Sequence, residues 1–175
     1  SMPGAPFIYY GDEIGMRYVE GLTSVEGGYN RTGSRSPMQW DNSKNAGFST
    51  APADQLYIKM DESSDRPTAQ AQMDDTDSLY NEVKKIIGIR RSTPALQNTT
   101  KISFVFTGKN KYPLVYLRGT DKDKVLVMIN PSKERVSFPC KFRLGEVLYQ
   151  FGSEIIQGGN MITMNGQSAA FYKVR

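Results

Sequence analysis

Two groups of acidic residues are the first candidates for chemistry in this sequence. Asp12 and Glu13 are neighbours, and adjacent residues on an extended chain point to opposite faces. We therefore expect them to form hydrogen bonds in a turn rather than to act as an acid–base pair. The segment 74–78 has the charge of a calcium loop but lacks the glycine and the distal glutamate of an EF-hand, and helix capping explains it better. The sequence predicts no catalytic residue and no metal or cofactor site.

Residue types that are absent or rare exclude several classes of function. The chain has no histidine, which removes Ser-His and Cys-His catalysis within it, and most zinc sites as well. Its one cysteine, Cys140, excludes an internal disulfide framework. The segment 27–36 contains glycines but fits neither a phosphate-binding loop nor a dinucleotide-binding fingerprint.

Composition narrows the range of partners. The net charge is only +4 and the basic residues are scattered, so we predict no nucleic-acid-binding surface. No apolar run is long enough to span a membrane. The hydrophobic content of 38% and charged content of 23% are typical of a globular protein with its own core. None of these features identifies the cellular compartment.

The only tryptophan lies in a polar segment, Arg35 to Ser49, which reads RSPMQWDNSKNAGFS. This segment shows neither the alternation of a strand nor the period of a helix. Pro37 restricts one backbone angle and Gly47 frees another, so we predict an ordered loop. The pattern fits a surface loop with Trp40 packed beneath it, and it fits a functional loop equally well.

Regular structure is predicted on both sides of this loop. The apolar run Phe7 to Tyr10, bounded by prolines and glycines, predicts a strand covered on both faces, as in a parallel sheet. Because such a strand needs neighbours, we expect the chain to begin in the middle of a fold. Residues 77 to 92 predict a helix, with Asp77 or Ser78 as its cap and Pro94 beyond its end.

After residue 98 the sequence changes to short β-branched or aromatic runs separated by turn signals. These runs read KISFVF, YPLVYLRG, KVLVMIN, RVSFP, MITM and AAFYKV. Their spacing predicts an antiparallel sandwich with its own core. We expect Phe104, Tyr116 and Phe171 in that core, because aromatic residues that alternate within strands usually face inward.

Four segments, in order, resemble the α-amylase superfamily, glycoside hydrolase family 13. PGAPFIYYGDEIGM is similar to its final barrel strand, and RSPMQWDNSKNAGFS resembles the following loop in the oligo-1,6-glucosidase, α-glucosidase and trehalose synthase branches. AQAQMDDTDSLYNEVKKIIGIRRSTPAL resembles the last barrel helix, and LVYLRGTDKDKVLVMINPS the opening of the C-terminal sandwich. The resemblance implies a mixed fold. Residues 1–97 would be the last strand, loop and helix of a (β/α)₈ barrel, and residues 98–175 an all-β antiparallel sandwich domain.

The resemblance also implies a role for the tryptophan-containing loop. Loops that follow barrel strands form the active-site face, and Arg35 is implied to be a substrate-binding residue at the rim of the site. Its planar guanidinium suits a ligand with many hydroxyl groups. Pro37, Met38 and Trp40 would hold the loop against the barrel, and Asp41 would tie its backbone. For Trp40 we expect packing rather than stacking on a sugar.

The whole enzyme is then expected to be a retaining α-glucosidase or transglycosylase acting on α-glucan or oligosaccharide. Its catalytic aspartate and glutamate are implied to lie on earlier barrel strands, so this chain would be the non-catalytic C-terminal part. Hydrolysis is not distinguished from isomerisation.

Two alternative functions stay open. The chain could be an autonomous carbohydrate-binding module with exposed aromatic residues, or a purely structural fragment. The unpaired apolar strand also leads us to expect self-association through residues 1–96, by strand pairing or segment exchange.

Overall fold

A computed structural model describes residues 1–120 and 122–174. The helices are α1, Ala69–Asp74, and α2, Leu79–Ser92. Short 3₁₀ turns occupy Asp12–Ile14, Thr32–Ser34, Lys44–Gly47, Ala53–Gln55 and Pro94–Leu96. The strands are β1 Lys101–Gly108, β2 Lys111–Gly119, β3 Lys124–Asn130, β4 Val136–Pro139, β5 Leu144–Phe151, β6 Ile156–Gly158, β7 Met161–Met164 and β8 Ser168–Val174.

The chain divides into two compact units, which are described separately. The two-sheet unit consists of Ser1–Pro6 and Ile86–Arg175, and the loop-rich unit consists of Phe7–Lys85. The predicted division at residues 97 and 98 stays a prediction about the domains. The compact units divide earlier in the chain because Ile86 and Ile89, near the end of α2, pack with the residues of the large sheet.

The two-sheet unit contains two antiparallel sheets. The larger has the strand order β1-β2-β3-β8-β5, and the smaller has the order β4-β7-β6. One core cluster joins them: Val115, Leu126 and Met128 of the larger sheet pack with Phe138 and Ile162 of the smaller. These side chains are fully buried, as expected when alternate residues of each strand face the partner sheet. The predicted antiparallel arrangement is therefore confirmed.

The other face of the larger sheet forms a second core cluster. Tyr116, Val127 and Phe171 pack there against Ala95 and Leu96, which follow α2. Two of the three predicted core aromatics, Tyr116 and Phe171, are buried as expected.

The third predicted core aromatic, Phe104, is 59% exposed, so that prediction was wrong. Its ring meets Tyr116 edge-on, with the ring centroids 6.3 Å apart. Strand β1 is an edge strand, and among the described residues it pairs only with β2.

Sequence patterns located six of the eight strands and missed β5 and β6. β5 contains Gly145 and Glu146, which are uncommon in strands. Its pairing with β8 also shifts register twice, between Leu144 and Val147 and again before Tyr149. These irregularities interrupt the alternation by which a strand is recognised in sequence. β1, the opposite edge, carries similar shifts in its pairing with β2.

The expected strand at Phe7 to Tyr10 does not form in this structure. Phe7 is 99% exposed and the segment pairs with no strand of the described residues. A strand is defined by its ladder of main-chain hydrogen bonds, so an apolar run without a partner strand stays irregular. The barrel implied by the resemblance remains a proposal.

Turns follow this segment as the sequence suggested. The carboxylate of Asp12 accepts a hydrogen bond from the Tyr9 amide at 3.0 Å, and that of Glu13 accepts one from the Gly11 amide at 2.9 Å. The two carboxylates therefore act as turn residues. At α2, the Ser78 hydroxyl accepts a hydrogen bond from the Asn81 amide at 3.2 Å, which identifies Ser78 rather than Asp77 as the helix cap.

A small core and a set of ion pairs hold the loop-rich unit together. Ile14, Met38 and Ala69 form its buried apolar cluster. The Arg17 guanidinium donates two hydrogen bonds of 3.0 Å to the Asp65 carboxylate and lies 3.6 Å from the buried Asp61 carboxylate. Contacts between residues so distant in sequence fix loops that have almost no regular secondary structure. Among helices in the described part of the chain, none is long and apolar enough to cross a membrane.

Candidate functional site

The segment Arg35 to Ser49 is an ordered loop closed by one main-chain carbonyl. The Ala46 oxygen accepts hydrogen bonds from the amides of Trp40, at 2.8 Å, and Asp41, at 3.2 Å. The side-chain amide of Asn45 donates two more bonds, to the carbonyls of Ser49 at 2.8 Å and Ala51 at 2.9 Å. These bonds satisfy part of the main chain of the loop without a sheet.

A left-handed turn makes this closure possible. Asn45, Ala46 and Gly47 have φ angles of 50°, 52° and 71°, in a region that L-residues other than asparagine and glycine rarely adopt. The Asp41 carboxylate lies against Gly47, where an added Cβ would come within 2.7 Å of it. Glycine at this position is therefore required by its backbone angle and by the close approach of Asp41.

The start of the loop is anchored by its main chain and by buried side chains. Ser36, Pro37, Met38 and Gln39 are buried. The carbonyls of Gln39 and Trp40 accept hydrogen bonds from the first two amides of α1, at 2.8 and 2.9 Å. Met38 packs with Ile14 and Ala69. The expectation that Pro37, Met38 and Trp40 hold the loop against a barrel stays a prediction.

The loop lines a concave pocket of about 380 Å³, which we call the aromatic pocket. Its lining residues are Tyr10, Glu13, Arg35, Pro37, Met38, Trp40, Phe48, Tyr57 and Ile58. Trp40 is 52% exposed, so the expectation that its ring would be packed beneath the loop was wrong. The loop closes through main-chain bonds at the Trp40 amide, which leaves the indole free to form part of the pocket wall.

Sequence reasoning missed three of the nine lining residues. Phe48 belongs to the loop segment, but nothing in the sequence marked it as a pocket residue. Tyr57 and Ile58 come from a distant stretch, where the Tyr57 carbonyl accepts a hydrogen bond from Val25 at 3.0 Å and Ile58 forms an isolated bridge with Ser24. Isolated bridges of this kind leave no periodic signal.

Polar groups stand at the rim of the aromatic pocket. The Tyr10 hydroxyl donates a hydrogen bond to the Ser36 carbonyl at 3.0 Å. Burial raises the pKa of Tyr10, and Tyr9 raises it further. The nearby charge of Arg35 lowers this pKa. The hydroxyl therefore stays protonated at neutral pH and fixes the ring beside Arg35.

Arg35, the predicted substrate-binding residue, is an exposed member of this rim. Ion pairs among the described residues join Arg17 with Asp61 and Asp65, Lys85 with Glu82, and Lys173 with Glu146. Arg35 takes part in none of these pairs, so the alternative of a surface salt bridge finds no partner within residues 1–120 and 122–174. Its donors can face a ligand.

The lining of the aromatic pocket is suited to binding a small molecule. Aromatic walls with a few polar groups at the edge are typical of pockets for small molecules. Glu13 is the single acidic residue in the lining, and one of its oxygens already accepts the Gly11 amide. In the part of the chain that the structure describes, no group of three His, Cys, Asp or Glu residues could hold a metal ion.

Comparison with known proteins identifies the family. Residues 1–99 match the alpha amylase catalytic-domain family. This match covers more than half of the chain, which therefore belongs to the α-amylase family. The resemblance read from the four sequence segments is confirmed.

Individual relatives share different parts of the chain. Trehalose synthase/amylase TreS of Mycobacterium tuberculosis is 37% identical over 140 residues, which cover 76% of this chain and 22% of that protein. The amino acid transporter heavy chain SLC3A1 of Mus musculus is 51% identical over 53 residues, or 29% of this chain and 8% of that protein. The crystal structure of the trehalulose synthase MutB from Pseudomonas mesoacidophila MX-45 matches with a TM-score of 0.82 at 26% identity, covering 99% of this chain and 36% of MutB. The chain thus spans well under half the length of each.

The Asp41 carboxylate gives the loop a pH dependence that can be measured. Side-chain and main-chain hydrogen bonds from Ser43 lower the pKa of Asp41. This pKa is lower in the folded than in the unfolded state. The contribution of Asp41 to the stability of the folded loop is therefore complete when the pH is above the ordinary aspartate pKa of about 3.9. It is lost as the pH falls through the lower, folded value.

We therefore expect the fluorescence of Trp40, the only tryptophan, to change on acidification with a midpoint below about pH 3.9. Asp41→Asn should remove this transition, whereas Asp74→Asn, an exposed carboxylate of α1, should preserve it. A transition that persists in Asp41→Asn would show that another group controls the loop.

Proposed function

We propose that this chain supplies a substrate-binding loop to an α-amylase-family enzyme that acts on α-glucosidic bonds, and that it is not itself catalytic. The observation that carries the proposal is the Arg35 guanidinium, free of ion pairs among the described residues, at the rim of a pocket walled by four aromatic rings. Relatives are named as trehalose synthase/amylase and trehalulose synthase, which supports an α-linked glucosyl ligand.

The chemistry of this pocket agrees with saccharide binding. Aromatic faces attract the weakly positive C–H faces of a pyranose ring, while a planar guanidinium donates several hydrogen bonds to hydroxyl oxygens. Trp40 and Tyr57 are each about half exposed, so their faces are accessible. Arg35 would fix the orientation of a sugar that the aromatic rings hold.

Catalysis needs groups that the pocket does not contain among its described lining residues. Retaining glycosidases use two carboxyl groups about 5 Å apart, one as nucleophile and one as acid/base. Only Glu13 is acidic here, and its hydrogen bond to Gly11 commits it to a turn. The catalytic pair is therefore proposed to belong to other strands of the whole enzyme.

The isolated chain should accordingly fail to hydrolyse 4-nitrophenyl α-glucoside, maltose or isomaltose. Release of nitrophenol or glucose is measured over hours with the purified protein, and an intact family member serves as the positive control. Reproducible turnover that disappears in Arg35→Ala would contradict the assignment of this chain as non-catalytic.

Binding can be tested on the chain as it exists, through the intrinsic fluorescence of Trp40. We expect maltose or isomaltose to shift the emission with a dissociation constant of about a millimolar or weaker, since one loop supplies only part of a site. Arg35→Ala should weaken binding by at least about tenfold, because a hydrogen bond from a charged donor contributes about 1.5–3 kcal/mol. Arg31→Ala is the matched control, since Arg31 lies over the Tyr29 ring and outside the pocket.

The same titration discriminates the alternative of an autonomous carbohydrate-binding module. The exposed ring of Phe104 on β1 is the observation that favours it. Saccharide binding detected by calorimetry that leaves Trp40 emission unchanged and survives Arg35→Ala would place the ligand on the two-sheet unit. Loss of binding in Phe104→Ala would then support the module.

A second candidate function is a non-catalytic role for the whole polypeptide. It is favoured by the 51% identity, over 53 residues, with a protein named as an amino acid transporter heavy chain. A chain of this kind would keep the loop as a structural element. Unchanged Trp40 emission together with no heat of binding in calorimetry, at high concentrations of maltose and isomaltose, would favour this candidate over both the enzyme and the module.

Self-association through residues 1–96 is a further part of the proposal. Phe7 is almost completely exposed, and Ile8, Tyr9 and Tyr10 are each 41–51% exposed. Contiguous exposed apolar residues and an unpaired main chain favour pairing with another chain.

Sedimentation velocity should therefore show dimers or larger species that increase with concentration. Phe7→Asp should shift the protein towards monomer, whereas Val25→Asp, at another highly exposed apolar side chain of the same unit, should not. A monomer at all concentrations, or an equal effect of both substitutions, would exclude association through this segment.

A further inference from the structure

Two arginines of the two-sheet unit donate to main-chain carbonyls instead of pairing with acids. The Arg90 guanidinium donates to the carbonyls of Met2, at 2.7 Å, and Gly4, at 2.8 Å. The Arg118 guanidinium donates to the carbonyl of Ser1. These contacts join residues that are 86 to 117 positions apart in sequence.

Arg118 is an unusual residue to find without a carboxylate. It is fully buried, and its other hydrogen bonds go to the carbonyls of Lys101, at 3.3 Å, and Gln97, at 2.6 Å, and to the hydroxyl of Thr100, at 2.8 Å. A buried charge is normally paired with an opposite charge or fully hydrogen-bonded. Within the described residues, the recorded partners of the Arg118 guanidinium are all uncharged oxygens. Each of these carbonyls therefore helps to replace the water that the buried charge has lost.

Electrostatics support the same view of the site. Burial, together with the nearby charge of Arg90, lowers the pKa of Arg118. The positive charges of Arg90 and Arg118 are therefore held close together. The carbonyl oxygens of residues 1–4 carry partial negative charge and lie against these two guanidinium groups. The Ser1 ammonium group adds positive charge at the same place, and its pKa is lowered by burial and by the charges of Arg90 and Arg118. The main-chain carbonyls are therefore the part of the segment that offsets the two guanidinium charges.

The sequence of the segment fits this arrangement. Pro3 and Gly4 form a bend, and Gly4 has a φ angle of 92°, which only glycine adopts without strain. The bend turns the carbonyls of Met2 and Gly4 towards the same guanidinium. The Ser1 hydroxyl also lies 2.7 Å from the hydroxyl of the buried Tyr116.

We propose that Arg90 and Arg118 form a binding site for polypeptide main chain, the arginine clamp, and that its occupant is the segment Ser1–Gly4 of the same chain. The clamp recognises carbonyl groups and a bend, so it requires glycine at position 4 but little else of the side chains in the segment. In this proposal, the two-sheet unit holds the segment of the chain that leads to Phe7.

Backbone dynamics of the full chain test this proposal without any attached label. The ¹⁵N–¹H heteronuclear NOE of the Gly4 and Ala5 amides should be as high in the wild type as in the strands of the large sheet. Arg90→Ala should lower it to values typical of a free chain end. Arg91→Ala, at the neighbouring exposed arginine of α2, should leave it unchanged.

Gly4→Ala provides an independent variant. An added Cβ at Gly4 would meet no atom within 4 Å, so any release of the segment must come from the changed backbone angle. Arg118 is left intact, because replacing a buried charged side chain can unfold the whole unit.

Three results would overturn the proposal. The first is a low NOE at Gly4 and Ala5 in the wild type, and the second is a high NOE that survives both Arg90→Ala and Gly4→Ala. The third is a high NOE found only at high protein concentration, which would identify a second copy as the donor of the segment.

Discussion

The carbonyl of Ala46 closes the loop on which the candidate site depends. It accepts the amides of Trp40 and Asp41 together, and it can do so only because three successive residues take left-handed backbone angles. Polar main-chain groups in an irregular segment must find partners or remain in water. By pairing part of these groups internally, this turn allows a segment of fifteen residues with a single 3₁₀ turn among them to present an indole ring and a guanidinium.

The sequence allowed an accurate prediction where local rules act and failed where distant residues meet. Asp77 or Ser78 as the helix cap, Asp12 and Glu13 as turn residues, and six short strands were predicted from residues a few positions apart in sequence. The pairing of β3 with β8, which are distant in sequence, was not predicted. The wall of the pocket depends on Tyr57 and Ile58, which reach it through an isolated bridge. Trp40 was assigned to packing because large aromatic rings are usually buried, and no local signal shows that its amide, rather than its ring, anchors the loop.

Two different solutions to the same problem appear in the two units. The loop-rich unit satisfies its irregular main chain with its own amides and with carboxylates such as Asp41 and Asp61. The two-sheet unit uses guanidinium groups, which bring many donors to carbonyls that no strand can reach. The guanidinium groups thus connect segments that are distant in sequence, whereas Asp41 and Asp61 each accept the amide of the residue two positions further on, and Asp61 also pairs with Arg17.

The register shifts at β1 and β5 have a consequence for how the protein behaves at high concentration. These strands are the two edges of the large sheet, where unpaired amides and carbonyls could template the addition of a foreign strand. Bulged and irregular edges present a broken hydrogen-bonding pattern that a straight strand cannot match. Both edges of the sheet are thereby protected against amyloid-like growth. Variants with a regular edge strand would form more main-chain hydrogen bonds within the sheet but would lose this protection.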